Sequence, residues 1–315
     1  MDEIKYKHTP VLCEECVSYL KINPCGYYVD CTLGGGGHAK EIAGRLTTGV
    51  LIGIDQDQAA IDAASEMLSG FKDKAIIIRG NFADIRGILA SVSIDKADGF
   101  LVDLGVSSYQ LDNADRGFSY MRDAKLDMRM DYRNKLTAYE VVNSYDEKQL
   151  TKIFFEYGEE RFARHIAKAV IRARSQKPLN TTFELSDLIK SALPKESREG
   201  GPHPAKRVFQ AIRIEVNGEL AILKNALTDM IGLLNPGGRI CVISYHSLED
   251  RIVKQCFKHW ENPCECPPKL PCVCGLRPLI QIVARKPVTP AACEIAGNHR
   301  ARSAKLRVAE KLKNT

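Results

Sequence analysis

The 315-residue chain has no apolar run near eighteen residues, so no segment reads as a membrane helix and no membrane partner is expected. Its opening residues, Met1-Asp2-Glu3-Ile4-Lys5-Tyr6-Lys7-His8, lack the apolar core of a signal peptide, which makes the cytoplasm the expected compartment. No internal repeat or low-complexity segment is present, and 44% hydrophobic residues are enough to bury the core of one large or two ordinary domains. Basic and acidic residues, 45 and 39, are nearly balanced. A net charge of +6 permits a nucleic-acid partner without requiring one. Cysteine is not scarce, at eleven, but an odd count in a long chain without a secretory signal reads as reduced thiols.

Up to about residue 103, short β-rich runs alternate with helical patterns. The runs are 27–33, 51–54, 75–78 and 100–102; helices are expected after His38 and over 58–68. This is the βαβ rhythm of a parallel sheet with helices on both faces. From about 106 to 205 convincing strands disappear, and helical patterns such as 159–174 and 184–192 replace them. The αβ pattern then returns with a helix over 204–234, the turn Asn235-Pro236-Gly237-Gly238 and the strand 239–243. Two further strands are expected at 279–284 and 305–308. The expected layout is one cofactor domain from residues 1–105 and 206–315, interrupted by a mainly helical domain at 106–205.

Four successive glycines, Gly34 to Gly37, followed by His38, stand where the first strand would turn into a helix. Backbone without Cβ atoms can turn sharply there and approach a ligand closely. Asp55 ends the second strand about twenty residues later, where a carboxylate can accept ribose hydroxyls. Asn81-Phe82 follow the third strand and offer an amide and an aromatic face for an adenine, although Phe82 also fits a core position. Asp103 ends the fourth strand. Ligands of open α/β sheets lie beyond the carboxyl ends of the strands, so these residues converge on one edge. Gly34, Gly36 and Ala39 also satisfy the dinucleotide pattern G-x-G-x-x-A, which leaves a nicotinamide-dependent dehydrogenase open at this stage.

Eight segments together point to a family. His8-Thr9-Pro10-Val11, 34–38, 103–108, 116–119, 126–131, 158–163, 244–251 and 298–303 resemble the ribosomal RNA small-subunit methyltransferase H, or MraW, family, over nearly the whole chain. The resemblance implies a Rossmann-like class I S-adenosylmethionine-dependent methyltransferase fold. Its mostly parallel seven-stranded sheet would end in a strand pair, and the helical insertion would recognise substrate. It implies methylation of N4 of cytidine 1402 in 16S rRNA, on rRNA or the small ribosomal subunit as partner. The family's cofactor positions fall on Gly36, Gly37, His38, Asp55, Phe82, Asp103 and Gln110. A homodimer is compatible with the sequence, which does not decide it, and a non-catalytic ribosome-assembly factor is the rival from another class.

Methyl transfer to an exocyclic amine needs in-line geometry above all, and an acceptor for one amino proton raises the nucleophilicity of the nitrogen. Asp103 is the first candidate for that catalytic role, Ser107 or Ser108 the second. No Pro-Cys pair lies near the fourth or fifth strand, which disfavours a carbon-methylating enzyme. For substrate, Arg161, Arg164, Lys168 and Arg172 recur at three- or four-residue steps opposite Phe162, Ile166 and Val170, a basic stripe suited to phosphates. The arginines, aromatics and aspartates of 116–131 are expected either to hold an extruded base or to form a salt-bridged loop. His203 to Arg207 and Arg300, Arg302, Lys305 and Arg307 add positive charge, the last group also fitting charged protection of an edge strand. His246 could orient substrate or simply hold its turn, and Tyr245 offers a stacking surface. Finally, Cys264-Glu265-Cys266 and Cys272-Val273-Cys274 form two CxC pairs that could gather four thiolates around a structural zinc, against the alternative of surface thiols.

Overall fold

A computed structural model describes residues 10–194, 203–267 and 273–313. Seven strands form one sheet: β1 (Tyr27–Asp30), β2 (Val50–Asp55), β3 (Ala75–Arg79), β4 (Ala97–Asp103), β5 (Leu234–Ser244), β6 (Ile280–Ile282) and β7 (Lys305–Lys311). Their order is β3-β2-β1-β4-β5-β7-β6. The first five are parallel, whereas β7 runs antiparallel to β5 and β6 antiparallel to β7. This mostly parallel seven-stranded sheet, closed by an antiparallel strand pair, is the Rossmann-like class I methyltransferase fold expected from the sequence.

The strands are apolar throughout because both faces are covered. Tyr28, Leu51, Leu101 and Cys241 face one cluster, built with α1 (Cys13–Leu20), α2 (Gly37–Ala43) and α3 (Gln58–Met67). Their neighbours Val29, Ile52, Phe100 and Val242 face the other, built with α4 (Ile85–Ser91), and later with two long helices from the second half of the chain. The period of two that sends alternate residues to opposite faces thus produces three layers.

The remaining helices are α5 (Ser108–Asp112), α6 (Ala138–Ser144), α7 (Glu147–Glu156), α8 (Ala163–Arg174), α9 (Thr182–Ala192), α10 (Lys206–Asn217), α11 (Glu219–Leu233), α12 (Ser247–Glu261) and α13 (Ala292–Gly297). The described residues divide into two compact units: the sheet unit, residues 10–105 and those from Leu220 on, and a helical unit from Val106 to Glu219. The first boundary lies where the strands stop in the sequence. The second lies at 219/220 instead of the expected 205/206, because α10 belongs to the helical unit. Its Val208, Phe209, Ile212 and Val216 pack in one cluster with Leu150 and Phe154 of α7, Ile166 and Val170 of α8, and Leu185 and Ile189 of α9. Gly218, at φ 62°, separates α10 from α11 where one continuous helix was expected. The helix expected from Glu159 starts at Ala163, because Glu159 itself is left-handed at φ 48°. Among the described residues no helix is long and apolar enough to cross a membrane.

Candidate active site at the strand ends

The first turn of the site is built by glycine. Gly36 caps α2 with φ 81°, and a Cβ placed there would lie 3.3 Å from the Ala64 Cα, so a larger residue is opposed by both backbone conformation and packing. The loop is tied to the second strand by Asp55, whose Oδ2 accepts the Gly34 N–H at 2.8 Å. Its Oδ1 accepts the Asp57 N–H at 2.9 Å. Burial nevertheless pushes the Asp55 carboxyl up to about 6, with those backbone bonds pulling the other way. Gly34, Gly36 and Asp55 are therefore one assembly. The His38 ring is buried, with Nε2 2.9 Å from the Val11 carbonyl oxygen.

Asn81 and Phe82 open a short turn after β3. The Asn81 side chain accepts the Ala83 N–H at 2.9 Å and donates to Gln56 Oε1 at 2.9 Å, so it acts as a local cap. Phe82 is half-buried against the sheet core, as the core reading of it expected. Its apolar ring is held by the core and retains an accessible part.

At the end of β4, Asp103 receives the Tyr245 hydroxyl on Oδ1 at 2.8 Å, and its backbone N–H donates to Thr32 Oγ1 at 2.6 Å. Burial raises its carboxyl to about 7; the Tyr245 bond lowers it, while Asp30 and Glu249 raise it. Tyr245 stays a neutral donor, since burial and Asp103 hold its own pKa well above the usual value. Tyr245 is thus engaged with Asp103, beyond the stacking role foreseen for it.

Asp30 was not picked out by the sequence reading. It ends β1, between β2 and β4, with only 1% of its surface exposed. Its carboxylate accepts the Thr32 N–H at 3.2 Å, and burial lifts it to about 7, with Asp55 adding to the rise. A signal was present: Asp30 closes its strand as Asp55 and Asp103 close theirs. Three adjacent strands therefore end in three carboxylates, and none of them meets a cation among the described residues.

His246 holds its turn. It caps α12, its Nδ1 accepting the Glu249 N–H at 3.4 Å, while Glu249 Oε2 accepts the N–H groups of Tyr245 at 2.9 Å and His246 at 3.3 Å. His246 Nε2 also lies 3.0 Å from Glu249 Oε1, close enough for an ion pair but without hydrogen-bond geometry. This local network fixes the backbone that carries Tyr245.

Gln110 falls in the helical unit, where it is buried in α5. It forms a capping box with Ser107: the Ser107 Oγ accepts the Gln110 N–H at 3.2 Å, and Gln110 Oε1 accepts the Ser107 N–H at 3.1 Å. Ser107 is thereby a helix cap.

In the same unit the loop containing 116–131 proves to be a salt-bridged structure. The buried Arg116 donates to the Arg129 carbonyl at 2.9 Å and lies 4.7 Å from the Tyr132 ring centroid. Arg129 pairs with Asp127 and Arg133 with Asp131, each at 2.7 Å. The basic stripe holds only in part, since Arg161 precedes α8 and lies over the Phe162 ring at 5.0 Å. Lys168 and Arg172 of α8, with His165, line a groove of about 490 Å³ whose other wall is Leu188, Ser191 and Ala192 of α9.

Of the expected zinc ligands, Cys264, Cys266 and Cys274 lie together, and Cys272 falls outside the described residues. Of the charged residues near the end, Arg307 and Lys305 pair with Asp250 at 2.6 and 3.4 Å, and their strand β7 lies between β5 and β6, not at the sheet edge foreseen for it.

The "Ribosomal RNA small subunit methyltransferase H" of Clostridioides difficile is 53% identical over 311 residues, covering 98% of this chain and all of that protein. The "Ribosomal RNA small subunit methyltransferase H 2" of Agathobacter rectalis is 54% identical over 311 residues, covering 98% and 99%. Among solved structures, an rRNA methylase from Streptococcus thermophilus is 12% identical with a TM-score of 0.41, covering 95% of this chain and 93% of that one. Residues 5–312 match the MraW methylase family, and the chain belongs to it.

Proposed function

We infer that this protein transfers a methyl group from S-adenosylmethionine to N4 of cytidine 1402 in the 16S rRNA of the small ribosomal subunit, and so works in the cytoplasm. The observation that carries the reading is the extent of the family match, which includes both the strand-end carboxylates and the helical unit. The donor groups fit the cofactor. Asp55 has lone pairs beyond those taken by two backbone N–H groups, suited to the ribose hydroxyls. The backbone of Gly36, Gly37 and His38 suits the methionine end, Phe82 the adenine, and Gln110 is the family position in the helical unit.

Bound S-adenosylmethionine supplies an electrophilic methyl group on a sulfonium. The protein's part is to place the cytosine amine in line with it and to take the proton released. Asp103 is the proposed acceptor. With Oδ1 holding the Tyr245 hydroxyl, Oδ2 can accept the amino hydrogen, and an acceptor poised near neutral pH suits that task. Asp30, buried beside it, helps to raise its proton affinity. Lys168 and Arg172 are proposed to meet RNA phosphates.

Small subunits isolated from cells lacking this enzyme provide the test. Incubated with the purified protein and methyl-labelled S-adenosylmethionine, they should incorporate about one methyl group per 16S rRNA. No incorporation into either subunits or naked rRNA would refute the assignment.

A further inference from the structure

The methyl-transfer site uses none of the cysteines between α12 and β6. Cys264, Cys266 and Cys274 nevertheless bring their sulfurs within 4.8 Å of one another. In a tetrahedral zinc–thiolate site, bonds of about 2.3 Å set the sulfurs roughly 3.8 Å apart, so the three already approach that spacing.

The surrounding backbone explains what such a site would do. Both ends of the segment are fastened: the Leu279 N–H donates to the Trp260 carbonyl at 2.9 Å, and the Ile282 N–H donates to Glu261 Oε1 at 2.9 Å. Between these ties, residues 262–267 and 273–279 contain neither helix nor strand. Of these, Pro263 is the buried residue; Cys264 and Cys274 are exposed and Cys266 is half-buried. Apolar burial therefore does little to order the segment. Three convergent thiols in a stretch with so little core are the pattern in which a metal supplies the missing cross-link.

We propose that Cys264, Cys266 and Cys274 bind a zinc ion as three thiolates and staple the segment between α12 and β6. Soft sulfur donors select zinc over the hard cations. Each S–H bond gives its proton to solvent as a Zn–S bond forms, so three protons leave per ion bound. No redox step is involved, and the fourth coordination position falls to another donor. The staple stands independently of the methyl-transfer reading, because its test needs no turnover.

The full-length protein, produced in zinc-supplemented medium and purified without chelator under reducing conditions, should carry about one zinc per chain by plasma mass spectrometry. The C264S/C266S/C274S variant should carry at least tenfold less. Should that variant fail to fold, cobalt(II) substitution of the wild-type chain decides the question through intense thiolate-to-cobalt absorption. Wild-type zinc below about a tenth of an equivalent, equal zinc in wild type and variant, or cobalt bound without the thiolate bands would each overturn the proposal.

Discussion

Both units bury charged side chains, but they treat them in opposite ways. In the helical unit, the buried Arg116 donates to backbone carbonyls and lies near the Tyr132 ring, the partly buried Arg129 and Arg213 each meet a carboxylate, at 2.7 and 2.9 Å, and the exposed Arg133 meets the buried Asp131 at 2.7 Å. Carboxylates meet three of these guanidiniums, and backbone carbonyls accept from the fourth. In the sheet unit, Asp30, Asp55 and Asp103 end neighbouring strands with only N–H and O–H donors around them, and burial raises all three. Uncompensated buried charge costs stability. Its persistence at the carboxyl edge of a parallel sheet, where such folds bind ligands, marks a site that a cationic, hydroxyl-rich molecule would complete.

The contrast is broken most severely at Asp103. Replacing it by Asn keeps the shape and removes the proton acceptor. Methyl transfer, followed as labelled methyl entering small-subunit rRNA, should fall by about 10²- to 10⁴-fold. A loss under threefold would remove Asp103 from the reaction.

Asp55→Ala tests the cofactor side of the same edge. Loss of charge-assisted hydrogen bonds, each worth about 1.5–3 kcal/mol, should weaken S-adenosylmethionine about 10- to 100-fold in calorimetric titration. Unchanged affinity would show that the ribose lies elsewhere.

For the helical unit the expectation is electrostatic and gentler. The double substitution Lys168→Glu and Arg172→Glu should raise the KM for the ribosomal substrate several-fold and lower the salt dependence of RNA binding by about two in log–log slope, with cofactor affinity unchanged. An identical salt slope would make the groove an ordinary solvated face.

The smallest effect is on stability. Asp30 binds its proton more tightly folded than unfolded, because burial disfavours its charge. Its contribution is fully present below about pH 4 and is lost as pH rises toward about 7. Without cofactor, the wild-type melting temperature should therefore decline across that window relative to Asp30→Asn. Parallel curves for the two proteins would show that Asp30 is not held protonated.

Much of the sheet unit was legible in the sequence, because a fully buried parallel strand is a short apolar run and the glycines and aspartates punctuate the strand ends. Asp55 and Asp103 could be placed for that reason. Asp30 obeys the same rule but stands just before the four glycines, which are the stronger local signal. The helical unit was harder to read. Local pattern shows that a helix such as α10 has an apolar face but not which core receives it, so the boundary was set fourteen residues early, at 205 instead of 219. The 116–131 loop was ambiguous because charges at short spacing serve salt bridges and ligands equally well, and the sequence does not show that Arg116 turns inward.

The most direct test of the account is mass-spectrometric mapping of methylated nucleosides in 16S rRNA from cells with and without this protein. The account predicts that N4 methylation at cytidine 1402 disappears without the protein and returns when the wild-type chain, but not Asp103→Asn, is supplied. An unchanged N4-methylcytidine signal at that position in cells lacking the protein would contradict it.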